Sequence, residues 1–153
     1  MNRRPSACLL VAILVLGGCG GADDPPPPIQ AGTPCAFCRM TIANAHVAAE
    51  VVAPGEEPRQ YDDIGCLAGD LQKRPLPSRA RAFVADYATG ALVPAGDAVY
   101  TRVESIETPM MSHIVAHASA AARDADARIP KSGIRQTAKE VFGANAPGGA
   151  NGR

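Results

Sequence analysis

Spacing of apolar positions divides the middle of the chain into short elements. Residues 46–52 (HVAAEVV) favour a strand, which a turn at Pro54-Gly55 ends. Residues 59–61 can return as its short partner. In residues 64–73 (IGCLAGDLQK) the apolar residues fall at Ile64, Leu67, Ala68 and Leu71, the spacing of one helix face. Asp62 or Asp63 is placed to cap that helix, and Pro75 and Pro77 stop it. Further on, 82–87 (AFVADY) predicts a strand that turns at Thr89-Gly90 into 91–93. Segments 98–103 (AVYTRV) and 113–117 (HIVAH) can pair as strands. Residues 119–128 are alanine-rich and helix-prone, and 132–142 (SGIRQTAKEVF) predicts an amphipathic helix carrying Ile134, Ala138, Val141 and Phe142. The fold class is therefore α+β, as two small strand–strand–helix (ββα-type) units at 35–80 and 81–142, without sequence similarity between them.

The ends of the chain follow other rules. Arg3 and Arg4 precede an apolar run at 8–16 (CLLVAILVL). That run is shorter than the ~20 residues a spanning helix needs, and it fits the core of a signal peptide. Leu16-Gly17-Gly18-Cys19 has the pattern of a bacterial lipoprotein signal. Residues 1–18 are thus expected to be removed, with lipid on Cys19 anchoring the protein to a membrane. Residues 19–34 contain four consecutive prolines and read as an extended tether. Residues 143–153 are rich in glycine, alanine and asparagine and read as a disordered tail.

Charge narrows the choice of partner. The 153 residues carry 15 basic and 15 acidic side chains, and loss of Arg3 and Arg4 leaves a slight acidic excess. With no basic block, nothing invites nucleic acid. The absence of tryptophan implies a modest core of alanine and valine. No Ser-His-Asp set, phosphate-cradling glycine loop or pair of glycosidase acids stands out, and Asp62-Asp63 reads as helix capping.

The chemistry concentrates in sulfur. Of five cysteines, Cys8 leaves with the signal and Cys19 takes lipid, so Cys35, Cys38 and Cys66 remain. An odd number cannot close completely into internal disulfides. The spacing Cys35-x-x-Cys38 alone serves zinc sites, redox couples and iron–sulfur sites. Met40 follows directly, and Met110-Met111 lies further on. Thioether is a poor zinc ligand and a good Cu(I) ligand, and a zinc cage would want a fourth strong ligand that the motif pattern does not offer. Met40 is therefore a candidate ligand, Met110 a ligand or core filler, and Met111 packing. His46, His113 and His117 read as surface or core residues, although His113 and His117 would share a strand face from which either could add a nitrogen. Cys66 falls in the first turn of the predicted helix, where the dipole favours thiolate and the neighbouring acids oppose it.

Taken in order, Cys19, the C-x-x-C-x-M of residues 35–40, YDDIGC at 61–66, F-V-x-D-Y at 83–87 and T-P-M at 108–110 resemble the NosL family of nitrous oxide reductase accessory lipoproteins, over residues 33–120. The resemblance implies small ββα-type units and a lipid-anchored protein facing the periplasm. It implies one Cu(I) per chain, a carrier rather than an enzyme, and partnership with an ABC-type copper maturation system, with an apo copper enzyme, or with both, nitrous oxide reductase being the expected client. By that likeness Cys38 and Met40 lead the ligand set, with Cys35, Cys66 and Met110 behind them. The family commonly has glycine after T-P-M, whereas this chain continues Met111-Ser112-His113. Two other readings compete: a thiol–disulfide oxidoreductase using Cys35 and Cys38, and a structural lipoprotein with a Cys35–Cys38 disulfide.

Overall fold

A computed structural model describes residues 25–149. The signal segment 1–18, Cys19 and residues 150–153 lie outside the described residues. The fold is α+β, with two antiparallel sheets and three short helices. The first sheet contains β1 (Ala49–Val52), β2 (Arg59–Tyr61), β3 (Arg81–Ala85) and β4 (Leu92–Pro94), in the order β2-β1-β3-β4. Helix α1 (Ile64–Lys73) joins β2 to β3. The second sheet contains β5 (Val99–Arg102), β6 (Ile114–His117) and β7 (Ile134–Gln136), in the order β6-β5-β7, with α2 (Ala120–Ala125) and α3 (Ala138–Phe142).

Alternation decides which face of the first sheet is buried against α1. Ala49, Val51, Ala82 and Val84 point into one core with Ile64, Leu67 and Leu71 of the helix. The same core continues through Tyr100 and Phe142 of the second half, whose rings meet edge to face at 5.6 Å. The sheets also join directly, as the Tyr87 amide donates to the Ala116 carbonyl at 2.7 Å. Among the described residues no helix is long and apolar enough to cross a membrane.

Several expected boundaries move. The 80/81 division is crossed by β3 and β4, which pair into the sheet of β1 and β2, so the break between sheets falls after β4. The first predicted strand begins later, because Asn44 caps a 3-10 turn at Ala45–Val47 by accepting from the His46 amide. The predicted helix 132–142 splits into β7 and α3. Its helical spacing was real only from Ala138, where Thr137 and Glu140 form a reciprocal capping box. Ile134, expected on the buried face, is 63% exposed.

Both flanking segments touch the domain. Part of the proline-rich tether is held by Gln60, whose side chain accepts from the Gln30 amide and donates to the Pro28 carbonyl. The expected tail starts with a 3-10 turn at Gly143–Asn145, and Asn145 donates to the Leu71 carbonyl at 2.8 Å. Gly96 permits the approach of this segment, since a Cβ there would collide with the Gly148 backbone. Composition could not anticipate these bonds, because each is made to a distant residue.

Candidate metal centre

Two chain segments build the site. The first is the loop after the tether, where the Cys35 amide donates to the Met40 carbonyl at 2.7 Å and the Arg39 amide to the Cys35 carbonyl at 3.0 Å. Arg39 closes this turn with a φ of 70°, unusual for a residue other than glycine. The Ala36 amide donates to the Gln60 carbonyl at 2.8 Å, tying the loop to β2. Phe37 lies over α1 at Gly69, where a Cβ would stand 2.8 Å from its ring, and Lys73 lies 4.7 Å from the ring centroid.

The second segment is the β2–α1 junction, YDDIGC. Its two adjacent acids divide the work. Asp63 caps α1, accepting from the Gly65 amide at 2.6 Å. Asp62, fully buried, turns instead toward the cysteines, and the Cys38 thiol donates to it at 3.3 and 3.5 Å. Below them Tyr61 and Arg59 both donate to Asp70 of α1, at 2.7 and 2.9 Å, fixing the strand to the helix just before the site.

One sulfur each from Cys35, Cys38 and Cys66 and one oxygen from Asp62 all lie within 4.8 Å of one another. Sulfur ligands ~2.3 Å from a tetrahedral ion stand ~3.8 Å apart, so side-chain movements of about 1 Å close the set on a metal. Cys35 and Cys66 are buried and Cys38 is half-buried; all three are free thiols. The four donors can hold a metal ion.

The electrostatics of the pocket agree with this capacity. Burial pushes the Cys38 thiol up; the Met40 amide opposes this, and hydrogen bonds with Cys35 and Asp62 add to it. Cys66 is pushed up strongly, first by burial and then by its hydrogen bond with Asp62. Burial and the acid thus outweigh the helix end, settling the sign that the sequence left open. A cation arriving among these donors favours loss of the Cys38 and Cys66 protons by balancing the charge.

Met40, Met110 and Met111 lie on the surface. Met40 and Met110 are each 43% exposed and Met111 is 60% exposed, so none of them fills the core and the packing role expected of Met111 does not hold. The Met40 carbonyl is bonded to Cys35, and the Met110 amide donates to Asp63 at 2.9 Å. The Met40 backbone is therefore pinned within the loop that carries Cys35 and Cys38, and that of Met110 at the helix end that carries Cys66. Gly65 lets this happen, since a Cβ there would stand 2.7 Å from that of Ser112. The histidines lie elsewhere: His117 is buried against Asp126 at 3.1 Å, His113 meets the Ile106 carbonyl at 2.9 Å, and His46 meets that of Tyr87.

Asp62 is the residue that the sequence reading missed, and it supplies the fourth donor judged absent for a zinc cage. The available signal was the doublet itself, since a single helix needs only one capping aspartate. No family model, curated protein or solved structure matches this chain.

Proposed function

We propose that this chain is a metal carrier, not an enzyme, and that its cargo is one Cu(I) per chain. Cys35, Cys38 and Cys66 supply the sulfur pocket, and the exposed Met40 and Met110 are the candidate thioether ligands beside it in the chain. The observation that supports this most is the convergence of three thiols from separate segments around one point. Cu(I) is a soft ion satisfied by two or three sulfurs. A half-buried Cys38 leaves one side open, so that a partner's ligand can enter before the first sulfur leaves. The resemblance to the NosL family supports the rest: a lipid anchor at Cys19, a position facing the periplasm, and copper passed with an ABC-type system toward nitrous oxide reductase.

Asp62 favours a second reading. A carboxylate beside three thiolates suits a borderline divalent ion such as Zn(II) better than a soft monovalent one. Anaerobic titration of the reduced protein against competing chelators separates the two. The copper reading expects one tight Cu(I), lost by more than ~10-fold in Cys38→Ser and little affected in Asp62→Asn. Tighter selection of Zn(II), lost in Asp62→Asn, supports the second reading. Cu(I) affinity unchanged in both Cys38→Ser and Cys66→Ser rejects the first.

A further inference from the structure

We propose that the same pocket is a redox switch, in which Cys38 and Cys35 exchange with an external disulfide to form a Cys35–Cys38 bridge that shuts the site to metal. The gating rests on the metal-carrier reading; the bridge does not. The three sulfurs are mutually within 4.8 Å and all are free thiols, so the dithiol is assembled before any oxidant arrives.

Access to the three is unequal. Cys38 is half-buried, whereas Cys35 and Cys66 are 0% and 1% exposed. A disulfide from solution therefore meets Cys38 first. Cys35 is placed to resolve the resulting mixed disulfide, because both residues sit on one turn, closed by the Arg39 amide on the Cys35 carbonyl. Cys35 and Cys38 stand three residues apart within that turn, and their sulfurs already lie within 4.8 Å of each other, so only a small adjustment brings them to bonding distance. Cys66 is held in the first turn of α1 by its amide on the Asp63 carbonyl, on a different element from the turn that Cys35 and Cys38 share.

The exchange balances. The Cys38 sulfur attacks the external disulfide, its S–S bond breaks, and one thiolate leaves. The Cys35 sulfur then attacks the Cys38 sulfur, forming the internal bond and releasing the second thiolate. The two protein protons go to the departing thiolates. The protein dithiol has lost two electrons and the external disulfide has gained them. The bridge consumes two of the three sulfurs and leaves Cys66 with Asp62. Conversely, a bound metal occupies the Cys38 sulfur and blocks the attack.

The test treats the full chain, metal-free or loaded with Cu(I), with oxidised glutathione, then maps the cysteines by alkylation and peptide mass. Metal-free protein should show Cys35 joined to Cys38 with Cys66 alkylated, and loaded protein should keep all three free. Removing a single outer partner of a metal site costs about 10–100-fold in affinity. Loss of two sulfurs in the bridged form should therefore cost more than ~100-fold, recovered on reduction. Cys66→Ser should still bridge; Cys38→Ser should neither bridge nor take up glutathione at Cys35. Cys35 and Cys38 staying free in metal-free protein, or bridging through Cys66, would overturn the switch while leaving copper binding intact. A bridge formed in protein that takes up no Cu(I) when reduced would overturn the carrier reading, and the gating with it.

Discussion

Met111 shows how one side chain can sit against its backbone. Its φ of 56° is left-handed, a conformation that costs about 1–2 kcal/mol outside glycine. Its side chain is 60% exposed and recovers little by packing. Arg39 and His113, the other non-glycine residues with positive φ in the two loops at the pocket, have the same geometry. Strain gathered at a binding site persists where surrounding bonds hold it, and here the Asp63 carboxylate and the Thr108 hydroxyl do so. Met111→Gly should therefore raise stability in urea unfolding by up to ~1 kcal/mol, the left-handed relief less glycine's extra chain entropy. A loss of similar size would show that Met111 makes contacts the exposure denies. The residue types Cys35, Cys38 and Cys66 were legible as a group because sulfur is scarce here. Asp62 was hidden by its neighbour, since either acid could serve as the cap.

At the scale of elements, helix α1 was readable to the residue, as apolar spacing, an aspartate cap and a following proline agreed. The 132–142 segment failed because three apolar residues at helical spacing, from Ala138 onward, lent their period to the strand before them. Arg135 of that strand pairs with Asp124, a contact no local pattern announces. The α1 cap is also the hinge of the site, because Asp63 holds Gly65 with one oxygen and Met110 with the other. Asp63→Ala removes a helix cap worth ~1 kcal/mol and an acceptor worth a similar amount. It should destabilise the protein by about 2 kcal/mol in denaturant melts, against ~1 kcal/mol for Thr137→Ala, which removes a helix cap that holds no second loop. Equal losses would mean that the 108–113 loop does not depend on Asp63.

For the whole molecule, one core runs through both sheets, and the polar cost of that arrangement appears on the far face of the first sheet. Glu50 is fully buried there, with one oxygen accepting from Gln60 at 2.9 Å and the other without a partner among the described residues. Burial raises its carboxyl above the ordinary 4.5, so the folded state holds this proton more tightly than the unfolded chain does. Its contribution is complete below pH 4.5 and is lost as pH rises through the folded value. Asp126, lowered first by its bond to Arg128, has the opposite sign and loses its contribution as pH falls. Subtracting the thermal-melt profile of Glu50→Gln from that of the parent should isolate a decline above pH 4.5; a flat difference would mean that Glu50 titrates alike in both states. Gln60, the partner of Glu50, also ties the pocket loop to β2 through its carbonyl. For the pocket the direct test is copper-edge X-ray absorption on the reduced, Cu(I)-loaded full chain. The account predicts a first shell dominated by sulfur that disappears when Cys35, Cys38 and Cys66 are together replaced by serine. A nitrogen and oxygen shell, unchanged by that replacement, would contradict it.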